Sequence, residues 1–160
     1  MTDYRMNKVI QDKLDTIIKS KAKQNRTLAH GVTEEELTEF KTVCLAELGD
    51  EIPEGYAQFL RLHNGMTIEG VFIYSTQRLP ISGSSGKTLA FVEMNQFSRD
   101  LEGMNEFLFF GDSDQDEYVL EKATKKYQVR DKQAFSNVYE EFTDFDGILE
   151  FMLDMMIRRI

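Results

Sequence analysis

The chain has 160 residues, a hydrophobic fraction of 41% and a net charge of −9. These values exclude a disordered chain and predict one domain over residues 1–160 with its own core. An acidic body repels phosphates, so we expect no direct nucleic-acid binding and favour a basic protein partner, although acidity also serves solubility alone. The single Cys44 and the charged N-terminus favour a cytoplasmic protein without a signal peptide or a membrane span.

The first 26 residues carry seven basic and three acidic side chains. Their apolar residues recur at helical spacing, which predicts a basic amphipathic helix over residues 4–23. Such a helix can lie on a membrane surface, but acids on its other face favour packing against the protein, so we expect no membrane contact. The predicted buried stripe consists of Met6, Ile10, Leu14, Ile17 and Ile18.

The strongest local signal is the start of a second helix. Thr33 and Glu36 form a capping box, and Gly49 supplies the C-terminal stop. Pro53 then predicts the first turn of a third helix, which ends at Asn64 and Gly65. The buried faces of these two helices are predicted to be Leu37, Phe40, Cys44 and Leu48, and Tyr56, Phe59, Leu60 and His63.

Strand patterns dominate the second half of the chain. They predict strands over residues 71–74, 107–110, 118–121, 126–130 and 138–142, with turns at 112–116 and 123–125. Residues 81–88 form a Ser/Gly-rich loop, and a short helix is predicted within 89–100. A final amphipathic helix, capped by Thr143 or Asp144, buries Phe145, Ile148, Leu149, Met152 and Met156. Helices, an antiparallel meander and a closing helix packed on it define an α+β fold.

Three runs of sequence resemble one known family. They are GVTEEELTEFKTVCLAELGDEIPEGYAQFLRLHNG (31–65), FLFFGDSDQDEYVLE (107–121) and TDFDGILEFML (143–153). Their order and spacing resemble the SMI1/KNR4 (SUKH) family of bacterial type, and the resemblance covers most of residues 31–155. It implies an α+β fold without catalytic residues. Bacterial members are often immunity proteins that block a cognate toxin, and fungal members regulate cell-wall synthesis through protein partners.

Motifs that carry chemistry are incomplete in this sequence. Residues 112–116 match the start of a calcium loop, but Glu117 stands where that loop needs Gly and Ala123 where it needs Glu. The run SGSSGKT (82–88) ends like a phosphate-binding loop, but Ile81 replaces its first Gly. His30, His63 and Cys44 lack zinc-site spacing. We therefore expect no catalytic residue, no metal and no cofactor, and a small hydrolase remains an alternative.

An acidic turn is the predicted partner-binding site. A projecting hairpin tip would keep its carboxylates hydrated until a basic partner arrives, and an adjacent aromatic side chain would anchor the complex. The expected function is toxin neutralisation, with a regulatory adaptor as the alternative and a solvated turn without function as the simplest interpretation. The predicted carboxylates are Asp112, Asp114, Asp116 and Glu117, and the predicted anchors are Tyr118 and Phe72.

Overall fold

The computed structural model describes residues 7–160, which contain five α-helices, one short 3-10 helix and six strands. The helices are α1 (Lys8–Ala22), α2 (Glu34–Leu48), α3 (Glu54–Leu62), α4 (Phe91–Ser98) and α5 (Phe145–Arg159), and the 3-10 helix is Met104–Glu106. The strands are β1 (Met66–Ile68), β2 (Val71–Ile73), β3 (Phe107–Asp112), β4 (Asp116–Glu121), β5 (Lys126–Asp131) and β6 (Val138–Phe142).

The six strands form one sheet in the order in which they occur along the chain. Every neighbouring pair is antiparallel, so the sheet is a meander with β1 and β6 at its edges. Short connections join β1 to β2 and link β3 through β6, as antiparallel neighbours allow, whereas residues 74–106 with α4 connect β2 to β3. Helix α5 packs on the sheet, as the sequence predicts. The α+β fold class is confirmed.

The first hairpin is the element that sequence patterns miss. Strand β1 pairs with β2 through a two-residue turn, Glu69 and Gly70, and both turn residues have positive φ angles of 48° and 79°. Such angles suit the right-handed twist of a hairpin. Three-residue strands are too short to show alternation, so β1 carries no readable pattern, and β2 ends at Ile73 rather than Tyr74.

Helix α2 begins as its sequence predicts. The Thr33 hydroxyl accepts a hydrogen bond from the Glu36 N–H at 3.1 Å, and the Glu36 carboxylate accepts one from the Thr33 N–H at 3.0 Å. This capping box satisfies two donors that the first helical turn leaves free. At the other end Gly49 adopts the left-handed conformation with φ 74°, which costs glycine little.

Helix α1 packs against α5, and its buried stripe differs from the prediction at one residue. Ile10, Leu14 and Ile17 are buried, but Ile18 is 39% exposed because it lies one residue past the buried face. Met6 lies outside the described residues. The Lys13 ammonium bridges Glu150 at 2.8 Å and Asp154 at 2.6 Å, and so ties α1 to α5 beside the apolar contact. Within residues 7–160, no helix has both the length and the hydropathy needed to cross a bilayer.

Aromatic rings fill the space between the helices and the sheet. Tyr56 of α3 lies 5.1 Å from the rings of both Phe91 and Phe110, measured between centroids. Its hydroxyl donates to the Tyr74 carbonyl at 2.6 Å, which satisfies the one polar atom of a fully buried side chain. The predicted α5 stripe, from Phe145 to Met156, is buried against the same layer.

Candidate functional site

The acidic turn is tighter than the sequence predicts. Asp112 is the last residue of β3 and Asp116 the first of β4, so only residues 113–115 form the turn. Asp112 and Asp116 are buried, which corrects the expectation of four hydrated carboxylates at a projecting tip. Asp114 is the exposed one, and its carboxylate accepts a 2.7 Å hydrogen bond from Arg159 at the end of α5.

Alternation along β4 separates the predicted site residues onto two faces of the sheet. Tyr118 points towards α5, where its ring lies 6.1 Å from that of Phe151, and it is fully buried. It therefore offers no exposed anchor, which corrects that prediction. Asp116 points the same way, and burial raises the pKa of its carboxyl.

The opposite face brings three predicted site residues together. Phe72, Asp112 and Glu117 lie side by side across β2, β3 and β4, because Phe72 pairs with Asp112 and Asp112 with Glu117. Phe72 is half-buried. Asp112 accepts hydrogen bonds from the Tyr74 hydroxyl at 2.5 Å and from the Lys132 ammonium at 3.0 Å, so its negative charge is already matched.

Glu117 differs from Asp112 because its carboxylate forms no hydrogen bond and no ion pair within residues 7–160. The side chain is half-buried. Burial raises the pKa of Glu117 to about 7, the neighbouring Asp112 charge adds to the rise, and Lys132 opposes it. An unpartnered carboxylate that titrates near neutral pH is typical of a functional position.

Glu117 lines a groove of about 330 Å³ that we call the α4 groove. Helix α4 and the segment after it form one wall, the segment after β5 forms the other, and β3 and β4 form the floor. Its polar lining is Ser98, Asp100, Glu117 and Lys132. Its apolar lining is Phe97, Leu101, Met104, Phe109 and Phe135.

A buried asparagine fixes the first wall of the α4 groove. The Asn95 amide donates to the Phe109 carbonyl and accepts from the Phe109 N–H, each at 2.8 Å. These two bonds replace a strand partner that β2 does not supply at this point of β3. Asn95 and Phe91 face the sheet, so Phe97 and Leu101 lie off the buried face and remain 74% and 70% exposed.

Arg130 positions the second wall. Its guanidinium carbon lies 4.8 Å from the centroid of the Phe135 ring, and one of its nitrogens donates to the Phe135 carbonyl at 3.0 Å. Another nitrogen contacts Glu121 at 3.2 Å. Phe135 in turn stacks 5.8 Å from the Phe109 ring. The aromatic surface of the groove is therefore held in place from both sides before any partner binds.

A larger cleft of about 620 Å³ lies between the N-termini of α3 and α5. Several of its charged side chains already have structural roles. Lys122 pairs with Asp50 at 2.9 Å, Glu54 with Arg61 at 3.0 Å, and Asp144 caps α5. The α4 groove instead combines exposed apolar side chains with an unpartnered carboxylate, and is the better candidate site.

The remaining candidates occupy structural positions. Cys44 is buried, and burial raises the pKa of its thiol to about 12, so the thiolate form is scarce at neutral pH. The His63 ring nitrogen lies 2.9 Å from the Ala29 carbonyl. The Ser/Gly-rich loop at 81–88 starts no helix. No cluster of potential metal ligands was found among residues 7–160.

Sequence reasoning missed Phe97 and Leu101. Phe97 lies off the face of α4 that Phe91 and Asn95 bury, and Leu101 lies in the segment after the helix, so a pattern of apolar residues along the helix does not single them out. No family model matches the chain, and no curated protein matches it. The resemblance to the SMI1/KNR4 family therefore stays a prediction, and fold class alone does not select a function.

Proposed function

We propose that the protein is a non-catalytic binding domain that neutralises a cognate toxin by docking a basic surface of that toxin on the α4 groove. The observation that carries this proposal is the exposure of Phe97 and Leu101 at the mouth of an apolar groove. Water-exposed aromatic and aliphatic side chains around a preformed concavity are typical of protein–protein docking sites.

Charge around the groove supports a basic partner. The segment from α4 to β3 carries four exposed carboxylates, and none of them forms an ion pair within residues 7–160. Its one cation, Arg99, is bound to Asp50 at 2.7 Å. Negative charge on this segment accelerates the approach of a positive surface and helps to select it. The four exposed carboxylates are Glu93, Asp100, Glu102 and Glu106, of which Asp100 lines the groove.

The predicted acidic turn contributes less to partner binding in this proposal than the sequence suggests. Asp114 remains available at the turn, but it already pairs with Arg159, and exposed pairs of this kind contribute little energy. Glu117 contributes from inside the groove, whereas Phe72 lies two strands away on β2 and is not part of the groove lining. Tight binding then depends on the apolar groove, and the surface charges act mainly on the association rate.

Coexpression with the product of the gene immediately upstream tests the proposal. If that product arrests growth, the wild-type chain should restore growth, and the double variant Phe97→Asp, Leu101→Asp should not, because two charges would enter the apolar contact. Leu45→Asp is the matched control, since Leu45 is 50% exposed on α2 and lies outside the groove. Circular dichroism of each purified variant verifies that it folds.

Two outcomes contradict the proposal. A double variant that protects cells as well as the wild type removes the groove from the interaction. A harmless upstream product removes the immunity role, and a stable complex with a host protein in unstressed cells would then support the regulatory adaptor instead.

A further inference from the structure

The chemistry of the α4 groove restricts which side chain of a partner it can accept. Its floor holds one carboxylate, Glu117, and the groove is otherwise lined mainly by apolar side chains, among them Phe109 and Phe135. An apolar ligand would bury that carboxylate without compensation, which is costly. An acidic ligand would add repulsion. A cation with a long apolar stem satisfies both surfaces.

Arginine fits these requirements better than lysine. Its planar guanidinium pairs with a carboxylate through two parallel hydrogen bonds and stacks on aromatic faces, whereas an ammonium is more strongly hydrated. The same protein already shows this geometry, since the Arg130 guanidinium carbon lies 4.6 Å from the centroid of Phe107 and 4.8 Å from that of Phe135.

We propose that the α4 groove is a recognition pocket for an arginine side chain of the protein partner, whose guanidinium pairs with Glu117 while its stem packs on Phe109 and Phe135. This inference rests on the proposed docking function of the groove. It adds the identity of the anchoring side chain, which the exposure of Phe97 and Leu101 does not specify.

The charged neighbours of Glu117 leave this carboxylate available. Asp112 on β3 is matched by Lys132, whose ammonium also donates to the Ser113 carbonyl at 2.9 Å. Arg130 lies opposite Glu117 on β5, but its nitrogens contact Gln128, Glu121 and the Phe135 carbonyl. Asp100 on the first wall adds a second negative charge to the groove. The arriving cation therefore meets a net negative site.

Small analogues of the side chain test the pocket without a known partner. Titration of the ¹⁵N-labelled chain with n-butylguanidinium should shift the amide resonances of residues 97–104, 117 and 132–135. The neutral isostere n-butylurea should bind several-fold more weakly, and n-butylammonium should fall between them. Glu117→Gln should abolish the preference for the cation, and Glu39→Gln, at an exposed position of α2 outside the groove, should retain it.

The pH dependence provides a second readout. Because the pKa of Glu117 is about 7, its ionised fraction rises about tenfold between pH 6 and pH 8. The affinity for n-butylguanidinium should rise by a similar factor, and that for n-butylurea should not. Glu117→Gln should flatten the profile.

Equal binding of guanidinium and urea, equal binding of guanidinium and ammonium, or shifts confined to other surfaces would each overturn the arginine pocket. These failures leave the docking function intact if Phe97→Asp, Leu101→Asp still abolishes protection. Conversely, a double variant that protects cells while n-butylguanidinium binds at Glu117 rejects the docking function, and the arginine pocket with it as a partner site.

Discussion

Replacing Glu117 by Gln should stabilise the protein, and the gain should depend on pH. Glu117 is half-buried and has no hydrogen-bonded or ion-paired partner within residues 7–160, so loss of hydration penalises its ionised form and raises its pKa from the ordinary 4.5 to about 7. Below the unfolded pKa, Glu117 is protonated in both states and costs the folded protein no stability. The stability of the folded state falls as the pH rises from the unfolded pKa through the folded pKa, because ionisation is then less favourable in the folded state.

The size of the effect follows from the two pKa values. Their separation corresponds to about 3 kcal/mol of unfolding free energy at high pH, which is an upper limit because the side chain keeps some contact with water. Most of this penalty develops between pH 5 and pH 8. Glutamine has nearly the same shape and no charge, so Glu117→Gln should gain roughly 2 kcal/mol more at pH 8 than at pH 5.

Urea denaturation followed by far-ultraviolet circular dichroism at the two pH values measures the difference. Glu102→Gln is the matched control, because it removes the same charge from an exposed site, where such changes are usually within about 0.5 kcal/mol. An equal gain in unfolding free energy for Glu117→Gln at pH 5 and pH 8 would refute the assignment of a carboxylate whose ionisation destabilises the fold. The same variant should lose its preference for n-butylguanidinium, so stability would rise while binding weakens.

Three further predictions concern the core and the walls of the groove. Cys44 should react with a thiol reagent orders of magnitude more slowly in the native protein than in urea, and fast native labelling would contradict its burial. Asn95→Ala leaves the Phe109 N–H and carbonyl unpaired, so urea denaturation should show a loss of roughly 2–5 kcal/mol; an unchanged midpoint would show that the edge of β3 is satisfied otherwise. Gly111→Ala places a Cβ 2.1 Å from the Phe72 carbonyl oxygen and should lower the melting temperature strongly, whereas Gly86→Ala, with no contact below 3.4 Å, should change it little.

Local chemistry explains why much of the fold could be predicted from the sequence. The capping box at Thr33 and the stop at Gly49 lie within a few residues of the helix that they delimit, so the sequence contains all the necessary information. The order of β3 to β6 follows for the same reason, since short connections leave antiparallel neighbours as the simplest arrangement. The pairing of β2 with β3 does not, because residues 74–106 separate the two strands. The hairpin of β1 and β2 is too short to produce a periodic signal.

The candidate site could not be predicted because it depends on register. A bulge between Phe109 and Gly111 shifts the pairing of β3 with β4, and this shift places Asp112 opposite Glu117. Alternation along β4 then directs Glu117 into the groove and Tyr118 into the core. The groove itself joins segments far apart along the chain, from Phe97 to Phe135, so no local pattern could have revealed it.

The last strand of the meander has a consequence for self-association. Strand β6 pairs with β5 on one side, and its other side is an open edge. Its side chains are exposed except that of Phe142, which is half-buried. An open edge is a template for adding a strand from another molecule. Glu140 and Glu141 point to opposite faces of β6, so a second copy paired there would bring like charges together on either face. The charges of Glu140 and Glu141 therefore disfavour edge-to-edge pairing of two copies through β6, and with it the growth of fibres.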